Sequence, residues 1–266
     1  MDTGSSRTLP TLLTFAPMAD SELARLLLAH YGIAYRERDH LFAWVSLLAL
    51  LHGGTGRVPL LYGGGLRFSS PRGIANHFDP LAPADRRLIP PSLASQVEAD
   101  WNTYNNGLAL YTAVFAYYHL LPARALMIPL FAAPVPPAEA TLTPIVYPLL
   151  SGLFHVLLRL GRRRADEALA QIRATFERTD ARVADGRPCL CGDRLTLGDL
   201  ALASAAAPLL LPHGYGAQMP ALEEMPPEIR RDLEELRSHP TAAFVQRLYT
   251  EGFSARQSQA NREASS

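Results

Sequence analysis

The chain has 266 residues, 48% of them hydrophobic and 19% charged, enough for two ordinary domains with a sizeable core. Twenty-five basic residues balance twenty-five acidic ones, and all the basic ones are arginine because the sequence contains no lysine. That neutrality argues against a nucleic-acid binder, which needs a basic excess or a basic face to neutralise phosphates. The opening "MDTGSSRTLP" has neither the charged start nor the apolar run of a secretory signal, so a cytoplasmic location is expected. Cys189 and Cys191 are too close in sequence for an easy disulfide and too few for a zinc site, so no metal is expected and both read as small, buried or half-buried thiols.

In chain order, "TLLTF" reads as a buried strand. "SELARLLLAHYG" puts Leu23, Leu26, Leu27 and His30 or Tyr31 on one helical face, with Asp20 as a cap and Gly32 as a stop. "IAYRER" alternates as a second strand, and "HLFAWVSLLALLHGG" is a second helix ended by glycines. "RVPLLYGGGLRFSS" gives two strands about a Gly63-Gly64-Gly65 turn, and "PRGIANHFD" a helix with Ser70 as cap and Pro71 at its first position. The order strand, helix, strand, helix, strand, strand, helix describes a small mixed sheet covered by helices.

The strand pattern does not return after the proline-rich "PLAPADRRLIPP", which sets a domain boundary near Asp85. Residues 9–84 form the first domain. From 91 to 253 everything reads as helix, and 254–266 is a polar tail expected to be disordered. Residues 108–133 and the stretch "TPIVYPLLSGLFHVLLRLG" are apolar enough to raise a membrane question. Prolines interrupt both and the second is near the lower length limit for a span, so buried bundle helices are expected and peripheral membrane contact is the minor alternative.

This βαβαββα unit followed by an all-helical domain resembles the cytosolic glutathione transferases: a thioredoxin-like α/β domain, then the all-α C-terminal domain of that family. "GRVPLL" is similar to the Val-Pro that opens the third strand there. The resemblance implies a cis Pro59 and a Val58 whose backbone meets the cysteine of glutathione. "LCGDRLTLGDLALAS" is similar to the family's helix start in the second domain. Its own physics is a capping box, Thr196 with Asp199, and Thr196→Ala is expected to cost ~1 kcal/mol.

The resemblance also places an active residue at the start of the first helix, a few residues before an arginine. Ser21, with Arg25 four residues on, fits the serine-type pattern as the catalytic residue, and "ADSE" is equally a good helix start by itself. A hydroxyl hydrogen bond and a helix dipole both favour the thiolate of glutathione, whose ordinary pKa is about 8.5. Met18, Trp101, Tyr104, Tyr111 and Phe115 are candidates for the apolar wall that holds the second substrate, with core packing the competing reading for the last three.

The pattern departs from the family at the start of the third helix. There a serine backbone N–H and hydroxyl bind the γ-glutamyl carboxylate, whereas this chain has Ser70 followed by Pro71, which has no N–H. Ser70 and Arg72 are the residues left to bind that end, and Arg36, Arg38, His40 or Trp44 the glycine end. The resemblance implies glutathione as co-substrate, a hydrophobic electrophile as partner, a detoxification role and a homodimer. The alternative is a non-catalytic binding or scaffold protein that keeps the fold with a weakened glutathione site.

Overall fold

Residues 11–14 form β1 (Thr11–Thr14), an inner strand of a four-stranded sheet in this computed structural model, which describes residues 9–253. The tail expected at 254–266 lies outside the described residues. The other strands are β2 (Arg36–Asp39), β3 (Leu60–Gly63) and β4 (Leu66–Phe68), in the order β2–β1–β3–β4. β1 runs parallel to β2, Leu12 opposite Glu37, and antiparallel to β3, Leu12 opposite Leu61. β3 and β4 form the hairpin, its turn carried by Gly63, Gly64 and Gly65 at φ 96°, 59° and 84°, where a side chain would be strained.

Three helices complete this unit. α1 (Ala19–Tyr31) is buried nearly all round, not on one face only, because it packs on α3 of its own unit and on a helix of the second unit. Gly32, at φ 69°, ends it with a left-handed cap, donating to Ala29 O while Ile33 N–H reaches Leu28 O. The start differs from expectation: Met18, not Asp20, is the N-cap residue and offers no capping side chain, and Asp20 sits inside the first turn. α2 (Phe42–Leu51) buries little beyond Val45 and Ala49. α3 (Pro71–Phe78) starts as expected, with Pro71 at its first position and the Ser70 hydroxyl accepting from Gly73 N–H at 3.1 Å.

The chain then becomes helical. α4 (Ala94–Trp101), a π-helical turn over Asn102–Leu108 and α5 (Ala109–Leu120) make one continuous rod. α6 (Arg124–Ala132) and α7 (Pro137–Leu158) form a hairpin. α8 (Arg162–Val183), α9 (Leu197–Leu210), α10 (Pro227–Arg237) and α11 (Pro240–Arg247) follow, with a closing π-helical turn, Leu248–Phe253. α9 is the core helix that packs on α1. Asp199 in its first turn accepts from Thr196 N–H and Oγ1, both at 2.8 Å, and from Leu190 N–H at 2.7 Å.

The expectation of buried bundle helices holds for Phe115, Met127 and Phe131, but α7 departs from it. Only Thr143, Tyr147, Leu150 and Phe154 are buried on it, one face at helical spacing, while Ile145 and Leu149 stand in solvent.

Candidate functional site

The β1–α1 corner faces a cavity of about 520 Å³ between the two units. Phe15, Pro17, Met18, Ala19 and Asp20 form its floor. One wall is the α4–α5 rod, through Asn105, Ala109, Thr112, Ala113 and Ala116. The other comes from the α6–α7 hairpin and α2, where Phe42, Phe131 and Phe154 gather around Phe15 with ring centroids 5.0 to 5.8 Å apart. Tyr117 stacks on Phe154 at 4.7 Å and closes the ring of aromatics. Gln218, Met219 and Pro220 supply part of the rim.

The hairpin is held over this corner by Glu139. Its carboxylate accepts from Leu41 N–H at 2.9 Å and lies 2.6 Å from His40 Nδ1. Among the described residues Asp20 is the one carboxylic acid lining the cavity, and burial lifts its carboxyl to about 6. A space of this size with apolar walls and few polar groups suits a small hydrophobic molecule.

Ser21 does not line that cavity. It is fully buried on the inward side of α1, and its hydroxyl donates to Phe15 O at 2.9 Å, the carbonyl that also receives Met18 N–H at 3.1 Å. A hydroxyl whose proton is given to a backbone carbonyl has none to give to a sulfur. Arg25 is likewise structural in its contacts. It donates from Nε to Glu37 at 2.8 Å and from Nη1 to Glu22 at 3.1 Å and to Ala16 O at 3.4 Å, and reaches Asp39 at 3.7 Å. Burial opposes its charge, yet Glu37, Glu22 and Asp39 together hold the guanidinium above its ordinary range. Asp39 itself is pushed up to about 6, by burial first and by Glu37 next. This cluster, with Glu22 also receiving Tyr249 O–H at 3.0 Å and Gly216 N–H, ties α1 to β2, to the segment after α9 and to the Leu248–Phe253 turn.

The Val58–Pro59 peptide is cis, and Val58 is buried. Ser70 holds the start of α3, with its oxygen occupied by Gly73 N–H. Arg72 turns to the second unit: Nη2 donates to Glu98 at 2.7 Å, Nε to Asn76 at 3.2 Å, and the guanidinium lies 5.2 Å from the Trp101 ring centroid. None of these four lines the cavity. Among the residues proposed for the glycine end of glutathione, His40 is engaged with Glu139, whereas Arg36 and Arg38 are exposed on β2.

Of the wall candidates, Met18 lines the cavity; Trp101, Tyr104 and Phe115 point into the core instead. Tyr104 O–H lies 3.0 Å from Thr179 Oγ1. The aromatic of this rod that does line the cavity is Tyr117. The cavity exists where the rod is small, at Ala109, Ala113 and Ala116, a spacing of four and three that was visible in the sequence. The other aromatics come from segments that no local pattern connects, Phe15, Phe42, Phe131 and Phe154. The cysteines are free, and burial pushes the Cys189 thiol up to about 12, the opposite of a reactive thiol. Among the described residues no group of three or more His, Cys, Asp or Glu side chains is placed to hold a metal ion.

Residues 140–231 match the family model of the glutathione S-transferase C-terminal domain. A glutathione transferase of Phanerochaete chrysosporium superposes with a TM-score of 0.60 at 15% identity, over 94% of this chain and 98% of that one. The chain has the glutathione S-transferase fold. A glutathione S-transferase of Ceriporiopsis subvermispora, solved in complex with glutathione, matches with a TM-score of 0.53 at 14% identity, over 95% of this chain and 98% of that one. One from Sinorhizobium meliloti matches with a TM-score of 0.52 at 17% identity, over 96% and 100%. No curated protein matches the sequence. In glutathione-transferase terms, the cavity lies between the β1–α1 corner of the first unit and the helices of the second.

Proposed function

We propose that the protein is a glutathione transferase whose apolar cavity presents a hydrophobic electrophile to the thiolate of glutathione at the start of α1. The observation that carries this reading is that the cavity floor is the α1 N-terminus itself, Pro17 to Asp20, with Met18 leaving the first-turn amides without a side-chain cap. Those amides and the positive end of the helix favour an anion there. Lowering the thiol pKa by two units needs about 2.7 kcal/mol of preference for the thiolate, within reach of several such N–H groups in a site shielded from water. In this mechanism sulfur attacks the electrophilic carbon, the leaving group departs, and the thiol proton is released to solvent. The backbone of α1 takes the role that the sequence suggested for Ser21, with Val58 and Pro59 beside the tripeptide and Ser70 and Arg72 at its γ-glutamyl end.

A second reading has its own support. The engaged Ser21 hydroxyl and the proline after Ser70 both weaken a glutathione site, and the cavity alone suffices for an apolar-ligand carrier of the same fold. Calorimetric titration with glutathione, followed by turnover of chlorodinitrobenzene, separates the two. Heat of binding together with glutathione-dependent product supports the transferase. Binding of an apolar dye in the cavity without any response to glutathione supports the carrier and refutes the transferase.

A further inference from the structure

Among the described residues nothing covers the outer face of α7. Ile145, Leu149 and Val156 are 75%, 76% and 74% exposed, on the side opposite the Tyr147–Phe154 face that packs inward. α7 is long and apolar enough by composition to cross a membrane, yet it is docked along its inner side through Phe154 on Phe42 and Glu139 on His40. α2, whose first residue makes that contact, exposes Trp44 and Leu51 as well. Apolar area left in water on this scale calls for a partner.

Charge says which partner. α7 ends at Arg159, which turns the chain in the left-handed region, and Arg162 and Arg163 follow with side chains 89% and 93% exposed. Their nearest carboxylates, Asp166 and Glu167, stand at 4.0 and 3.6 Å, exposed pairs of small worth. The only acid on α7 is Glu139, and it is turned inward. We propose that the outer face of α7 lies in the plane of a membrane rich in anionic lipid, its apolar side chains among the acyl chains and Arg159, Arg162 and Arg163 on the headgroup phosphates. A second copy of the chain fits less well. Two α7 helices packed antiparallel would set these arginines against a first turn whose single carboxylate is already used, and packed parallel they would set arginine against arginine. This inference stands independently of glutathione chemistry.

Flotation of the full chain with phosphatidylcholine vesicles, with and without phosphatidylglycerol, tests it. Wild type should float with the anionic vesicles, weakly with neutral ones, and less as salt is raised. Ile145→Gln with Leu149→Gln should weaken partition by roughly tenfold or more, and Arg162→Gln with Arg163→Gln by roughly fivefold per arginine. All four side chains are exposed, so unchanged thermal unfolding establishes that the variants are folded. Wild type failing to float, variants floating as well as wild type, or a solution dimer that the Ile145→Gln/Leu149→Gln variant splits would each overturn the proposal, the last by assigning the face to a second copy.

Discussion

Ser21→Ala separates a catalytic serine from a structural one. In the structure its hydroxyl makes one buried hydrogen bond, to Phe15 O at 2.9 Å. Deleting it removes about 1 kcal/mol, the usual net worth of such a bond. The larger penalty for an orphaned acceptor does not apply, because Met18 N–H still reaches the same carbonyl at 3.1 Å. For a chain of 266 residues that loss corresponds to a fall in Tm of roughly 2 °C. Urea titration and thermal unfolding read the stability, and glutathione-dependent turnover of chlorodinitrobenzene reads the chemistry in the same preparation. The expected result is a small loss of stability with turnover within about twofold of wild type, since the α1 amides remain in place. A fall in turnover of roughly a hundredfold or more at unchanged Tm, the size of effect seen when a donor to a developing charge is removed, would refute this assignment.

Other perturbations probe the rest of the site. Burial lifts the Asp20 carboxyl from 3.8 to about 6, so the folded protein holds that proton more tightly than the unfolded chain, and stability falls as pH rises between those values. Asp20→Asn should flatten that slope by up to about 3 kcal/mol and, by removing a like charge beside the sulfur, move the pH–rate profile to lower pH; urea midpoints against pH and the rate profile report both. Ala113→Trp should fill the cavity and weaken binding of an apolar fluorescent dye by roughly tenfold or more while glutathione binding persists, measured by dye titration and calorimetry. Thr196→Ala should cost about 1 kcal/mol in urea unfolding without touching either ligand, because its contacts lie with Asp199 at the start of α9 and neither residue lines the cavity.

Much of the fold was legible because local rules and the final structure agree. Gly32 at the end of α1, the triple glycine of the hairpin, Ser70 with Pro71, and Thr196 with Asp199 each have a single conformational reason, and each is found doing that work. Residue type alone favours Asp20 as a cap and cannot say which residue of "MADSE" leaves helical geometry first; Met18 does, at φ −80° and ψ 132°. The site was less legible. Ser21 was chosen by position in a pattern, and the direction of its side chain, inward onto Phe15 O, depends on how the β1–α1 corner folds. The cavity walls were missed because a cavity is made by what is absent, the side chains that Ala109, Ala113 and Ala116 lack, and by phenylalanines more than a hundred residues apart that only tertiary structure assembles.

The same hairpin explains both the cavity and the uncovered face. A helix that is apolar all round is ordinarily buried all round. α7 buries one side, through Tyr147 and Phe154, and walls the cavity with Phe154, while the Glu139 contacts with Leu41 N–H and His40 fix its start against the first unit. Among the described residues no helix packs on its other side, where Ile145, Leu149 and Val156 remain in solvent. If α7 served the cavity alone, polar residues on the outer side would wall it equally well and would keep the chain soluble at no cost to packing. The sequence instead keeps that side apolar and gathers arginines at its end, the composition that the proposed membrane face requires: an inner surface that excludes water from the start of α1, and an outer one suited to an apolar medium bordered by negative charge. If both proposals hold, a hydrophobic substrate dissolved in that medium would lie against the helix whose Phe154, Leu157 and Leu158 line the cavity.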